Sequence, residues 1–117
     1  MSTKMDKEMK AKWLKALRSG EYSQRRRRLV DQYDNFCCLG VLCNISDDSL
    51  GEWGYKKSTK EWGFLSIEGK EDFYESMPPD SVLSKAGVPC NIASLLAEKN
   101  DLGESFEQIA EFIEERL

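Results

Sequence analysis

Phe36-Cys37-Cys38-Leu39-Gly40-Val41-Leu42-Cys43-Asn44-Ile45 is an almost unbroken apolar run that leaves no face for water. A segment of this kind is the central buried element of its fold, whatever its backbone conformation. Ten residues exceed a typical strand, and Asn35 is a suitable N-cap, so the run reads as a helix entered through an Asp34-Asn35 turn. Gly40, in its middle, would let a neighbouring element approach closely.

On the N-terminal side, Thr3 followed by Asp6 is a weak capping signal. Met5, Met9, Trp13, Ala16 and Leu17 then recur at helical spacing, which predicts a helix over residues 4–18 stopped by Ser19-Gly20. From Glu21 to Gln32 the chain is polar and basic and reads as extended or loop. On the C-terminal side, a polar loop over 46–52 leads to two short strands within 53–67, forming one small hairpin around Lys56-Lys57-Ser58-Thr59-Lys60.

Pro78-Pro79-Asp80-Ser81 opens a short helix, and Gly87 with Val88-Pro89 closes it. A further helix is expected over Ile92 to Lys99, then a turn at Asn100-Asp101-Leu102-Gly103. Ser105 and Gln108 form a capping box for a last helix striped by Phe106, Ile109, Ala110, Ile113 and Leu117. The fold class is therefore α+β, mostly α: four to five short helices around the buried element 36–45, with one small hairpin, in a single domain spanning 1–117.

Three segments together resemble a family of small uncharacterised accessory proteins encoded by tailed bacteriophages. They are Trp13-Leu14-Lys15-Ala16-Leu17-Arg18-Ser19-Gly20-Glu21-Tyr22, Phe36-Cys37-Cys38-Leu39-Gly40-Val41-Leu42-Cys43, and Gly103-Glu104-Ser105-Phe106-Glu107-Gln108-Ile109-Ala110. The resemblance implies a non-structural protein acting in the cytoplasm of an infected bacterium, and it brings no catalytic residues with it. Between Tyr22 and Asp34 the chain departs from the family pattern, carrying four consecutive arginines where those proteins have glycine and mixed basic residues.

The 117 residues are 40% hydrophobic and 32% charged, enough apolar material for a modest core. No apolar run approaches the ~20 residues that span a bilayer, and no signal-peptide pattern opens the chain, so a cytoplasmic protein without membrane contact is expected. In that compartment Cys37, Cys38, Cys43 and Cys90 are read as free thiols. Adjacent cysteines and the lack of a paired CxxC make them small buried hydrophobes rather than zinc ligands, and no metal or cofactor is expected.

Net charge is −4, but residues 1–30 carry ten Lys/Arg against three acids and residues 31–117 seven against eighteen. This polarity fits an anion-binding end, association of copies as a homo-oligomer, or, the reading adopted, two parts of one fold that attract each other. Histidine is absent, which removes the commonest general base and the usual Ser-His and Cys-His nucleophile pairs. The expectation is a binding protein rather than an enzyme.

Arg25, Arg26, Arg27 and Arg28 offer bidentate donors to phosphate, and Tyr22, Trp53 and Trp62 offer stacking faces, with Tyr55 as a further aromatic. These residues are the candidate ligand-binding set, and a phosphorylated, nucleotide-type small molecule is the candidate ligand. Capture of such a signal, blunting a host defence, joins this chemistry to the phage resemblance.

Two other readings compete with it. One is an inhibitor that presents the acidic C-terminal part, with Glu107, Glu111 and Glu114, to a host protein as a mimic of nucleic acid. The other is a carboxylate-metal phosphodiesterase built on Asp31, Asp34, Asp47 and Asp48. The last two helices have helix-turn-helix spacing, but Glu104, Glu107, Glu111, Glu114 and Glu115 would repel phosphates, so sequence-specific DNA binding is not expected.

Overall fold

The computed structural model describes residues 5–26, 28–31, 33, 35–46, 51–58, 60–66, 73–74 and 77–117. Among them are five helices: α1 (Lys7–Arg18), α2 (Cys38–Ile45), α3 (Asp80–Ala86), α4 (Cys90–Asp101) and α5 (Phe106–Arg116). Five short strands complete the fold: β1 (Ser23–Gln24), β2 (Asn35–Phe36), β3 (Gly51–Lys56), β4 (Glu61–Ser66) and β5 (Phe73–Tyr74). The class is α+β, mostly α, as the sequence indicates.

The apolar run is the centre of the molecule. Cys38 to Cys43 are all buried, so α2 is apolar all round because protein surrounds it. It packs on α1, on α4 and on β2, while α1 and α4 each pack on α5. Gly40 provides the predicted close approach, since a Cβ there would collide with the carbonyl oxygen of Leu29 in the segment crossing over α2.

The ends of α2 differ from expectation. The helix begins two residues later, with Cys37 as N-cap, its Sγ accepting from the Gly40 N–H at 3.3 Å. Asn35 does not cap: its backbone joins β2, and its N–H and side-chain amide both donate to Asp31. A stronger capping residue is thus drawn away by a carboxylate four residues earlier.

α1 starts at Lys7 with Asp6 as its N-cap, the carboxylate accepting from the Met9 N–H at 3.0 Å; Thr3 lies outside the described residues. Its stop is as read, with Ser19 as C-cap and Gly20 at φ 78°. α3 ends at Gly87 in the left-handed region and α5 opens on a complete Ser105/Gln108 capping box. α4 runs two residues further at each end than expected, so Asn100 and Asp101 are helical and the turn is confined to Leu102-Gly103.

The hairpin pairs β3 with β4 from Gly51↔Ser66 to Lys56↔Glu61, and β5 adds a third antiparallel strand that the sequence reading omits. Ile67, placed in the hairpin from sequence, lies outside the described residues. A second, parallel ladder joins β1 to β2 through Ser23↔Asn35 and Gln24↔Phe36, so the segment read as loop is in part paired.

The charge polarity of the chain is resolved within the fold. Arg18 of α1 reaches Glu114 at 2.8 Å and Glu107 at 3.7 Å on α5, and Lys10 donates to the Glu114 carbonyl at 3.1 Å. The hydrogen bond to Glu114 raises the pKa of Arg18 and lowers that of Glu114. Both partners are on the surface, so the pairing orients the two helices more than it stabilises them.

Three of the four cysteines are buried and free. Burial pushes the Cys37 thiol up to about 11 and raises Cys38 and Cys43 well above their ordinary value, which leaves them protonated and unreactive. Cys90 is exposed. A thiol reagent at pH 8 is therefore expected to label one cysteine in the native protein and four in urea, as counted by intact mass; rapid labelling of two or more would mean that α2 is not the core.

Candidate ligand-binding site

A buried amide helps to hold the basic segment in place. Asn100, on α4 and wholly excluded from solvent, donates to the Arg25 carbonyl at 2.7 Å. Its Oδ1 accepts from Gln24 Nε2 at 2.9 Å and from the Cys38 N–H at 3.2 Å. One side chain thus joins the arginine segment, the start of α2 and α4. Trp13 adds to the same point, donating through Nε1 to the Cys38 carbonyl at 2.9 Å.

Arg25 and Arg26 do not converge on one point. Arg25 turns toward Asp31, with Nη1 3.0 Å from Oδ2, and its Nε is buried without a hydrogen-bond partner. Arg26 is exposed, its guanidinium beside Gly103 in the α4–α5 turn. Together with Gln24 and Asn100 these two residues line a depression of about 200 Å³. Arg28 is half-buried, and Arg27 lies outside the described residues.

Asp31 is a structural carboxylate. It accepts from Arg25, from the Tyr33 and Asn35 N–H groups and from the Asn35 amide, at 2.8–3.0 Å. Desolvation works to raise its pKa, but the hydrogen bonds from Asn35, Tyr33 and Arg25 outweigh it and hold the carboxyl below its ordinary value. A depressed carboxylate pKa adds stability that is present above the unfolded value of about 4 and is lost as pH falls through the folded one. The urea midpoint is accordingly expected to drop between pH 6 and pH 3, and Asp31→Asn should flatten part of that drop; an unchanged pH profile in the variant would contradict this role.

Asp34, Asp47 and Asp48, the other carboxylates of the phosphodiesterase reading, lie outside the described residues. With Asp31 committed to four donors, that reading has no described anchor.

The aromatics gather around β2. Tyr22 meets Phe36 edge-on at 5.1 Å, Phe36 meets Trp53 at 5.9 Å, and Trp53 meets Phe64 at 5.2 Å. Asn44, at the end of α2, fixes two of these rings: it accepts from Trp53 Nε1 at 3.0 Å and donates to the Tyr22 hydroxyl at 2.8 Å. Beside them lies a cavity of about 330 Å³ bordered by Cys43, Asn44, Ser46, Gly51, Glu52, Trp53 and Phe64. A larger hollow of about 470 Å³, beside Asp6, Lys12, Ser46 and Lys85, holds none of the predicted site residues.

Tyr22 and Trp53 are thus brought together, and Arg26 follows Tyr22 along the chain just beyond β1. Trp62 is not part of this group; it pairs with Tyr55 at 5.4 Å further along the hairpin. Asn44 and Asn100 escaped the sequence reading, because asparagine beside a helix end signals a turn more readily than a buried or ring-holding role.

These features define a small α+β protein with an aromatic cavity at the junction of its helical body and its hairpin. The chain belongs to the family described as Domain of unknown function (DUF8296), whose profile matches residues 5–117. No curated protein matches it, and no solved structure does.

Proposed function

We propose that this is a phage-encoded, non-catalytic protein that acts in the host cytoplasm by binding and sequestering a phosphate-bearing, nucleotide-type signal. The observation that carries the reading is the fixed, half-buried Trp53, held by Asn44 at the edge of the 330 Å³ cavity. Asn44 satisfies the indole N–H and so fixes the ring where it borders the cavity, placed to stack on a planar ligand. Arg26, exposed beyond β1 in the depression it shares with Gln24 and Gly103, is the candidate phosphate contact. The phage context rests on the resemblance of the three quoted segments.

Titration calorimetry against mononucleotides and cyclic nucleotides tests this. One of them is expected to give saturable heat, and Arg26→Ala to weaken its binding at least about tenfold, the scale of one lost charged hydrogen bond. Absence of heat with every nucleotide, or binding unchanged in the variant, would remove the proposal. The competing acidic-mimic reading would have to use Glu107 and Glu114 while they pair with Arg18, with Glu111 exposed beside them.

A further inference from the structure

We infer that the far end of the β3–β4 hairpin is a separate contact site for single-stranded nucleic acid. The register places Trp53 opposite Phe64 and Tyr55 opposite Trp62, and alternation along the strands puts all four rings on one face. The inner pair is joined to Phe36 and the body of the protein. The outer pair lies two residues further along, roughly 7 Å, with Trp62 half-buried and Tyr55 47% exposed. Contacts with Phe36 tie the inner rings to the body of the protein, whereas Tyr55 is open to solvent.

The turn beyond this pair carries Lys57 and Lys60, both exposed, and Lys60 holds φ at 59°. Two cations and an open aromatic pair therefore lie within the length of about one nucleotide. This is the combination that binds unpaired strands: a base stacks on the ring while its phosphates meet ammonium groups, with little dependence on sequence. Duplex DNA would hide its base faces from Tyr55, so the chemistry selects single strands. None of these four residues belongs to the proposed small-ligand site, and the two assignments stand or fall separately.

Fluorescence anisotropy of a labelled short oligothymidylate, titrated with the full-length protein over a range of salt, is the test. Wild-type protein should bind at low salt. Tyr55→Ala should weaken binding at least about fivefold, the lower end of one lost stacking contact. Lys57→Gln with Lys60→Gln should reduce the slope of log K against log salt by about 1.4, the value for two phosphate contacts on a single strand. Arg26→Ala should leave oligothymidylate binding within about twofold. No anisotropy change at low salt, indifference to the Tyr55 and lysine changes in proteins with wild-type melting, or loss of binding in Arg26→Ala would each overturn the assignment.

Discussion

Gly40→Ala is expected to be strongly destabilising, a result opposite in sign to the usual effect of alanine in a helix. In an exposed helix the change would stabilise by up to ~1 kcal/mol. Here the added methyl group would meet the backbone of Leu29, its carbonyl carbon 2.7 Å away and its oxygen nearer still. Leu29 is itself fully buried, and its carbonyl accepts from the Cys37 N–H at 3.2 Å, so the obstacle is backbone pinned from both sides. Overpacking a core costs about 1–3 kcal/mol where side chains can adjust, and a backbone clash belongs at or above the top of that range. Against a total stability of ~5–15 kcal/mol, a cost of about 3 kcal/mol or more should show as a large drop in urea midpoint and in soluble yield. A midpoint equal to or above wild type would mean that α2 and the Leu29 segment are not in contact.

Asn100→Ala should be comparably damaging for a different reason. It removes a donor and an acceptor at once, leaving the buried Cys38 N–H without its acceptor and the Arg25 carbonyl without its donor. At about 1–3 kcal/mol for each buried polar group left unpaired, a loss of roughly 2–6 kcal/mol is expected. The damage should also be local, with faster amide exchange over residues 24–36 than the global loss of stability explains, because Asn100 is what fastens that segment to α4. Uniformly raised exchange would mean that the segment is held by something else.

The elements written in short-range chemistry were legible from sequence. Ser105 with Gln108, Gly87, the Ser19-Gly20 stop and the apolar stripe of α5 all depend on residues within a few positions of each other, and all are found as read. The buried run and the need for glycine at position 40 were legible as well, because a segment without a polar face admits one environment only. Position 100 was not, since its role exists only once α4, α2 and the arginine segment have met. The same holds for Asn35, whose capping propensity loses to the carboxylate of Asp31, and for Arg25, whose partner is six residues away but reached only through the loop that Asp31 closes. The two-residue strands β1, β2 and β5 carry too little pattern for periodicity to detect. For the candidate site, the aromatic and arginine residue types could be named from sequence, but not which of them share a surface.

The clasp between α1 and α5 bears on the order in which the molecule assembles. Its hydrogen bonds join residues 96 and 104 positions apart, so closing it costs the entropy of a loop that includes nearly everything else. A chain that emerges from the ribosome N-terminus first must hold Trp13 and Leu17, both destined for the interior, exposed until α5 has been made. During that interval the lysines on α1 keep the helix in solution and give it a charge opposite to the segment it awaits. The early basic and late acidic composition thus puts opposite charges on the two helices that this clasp joins.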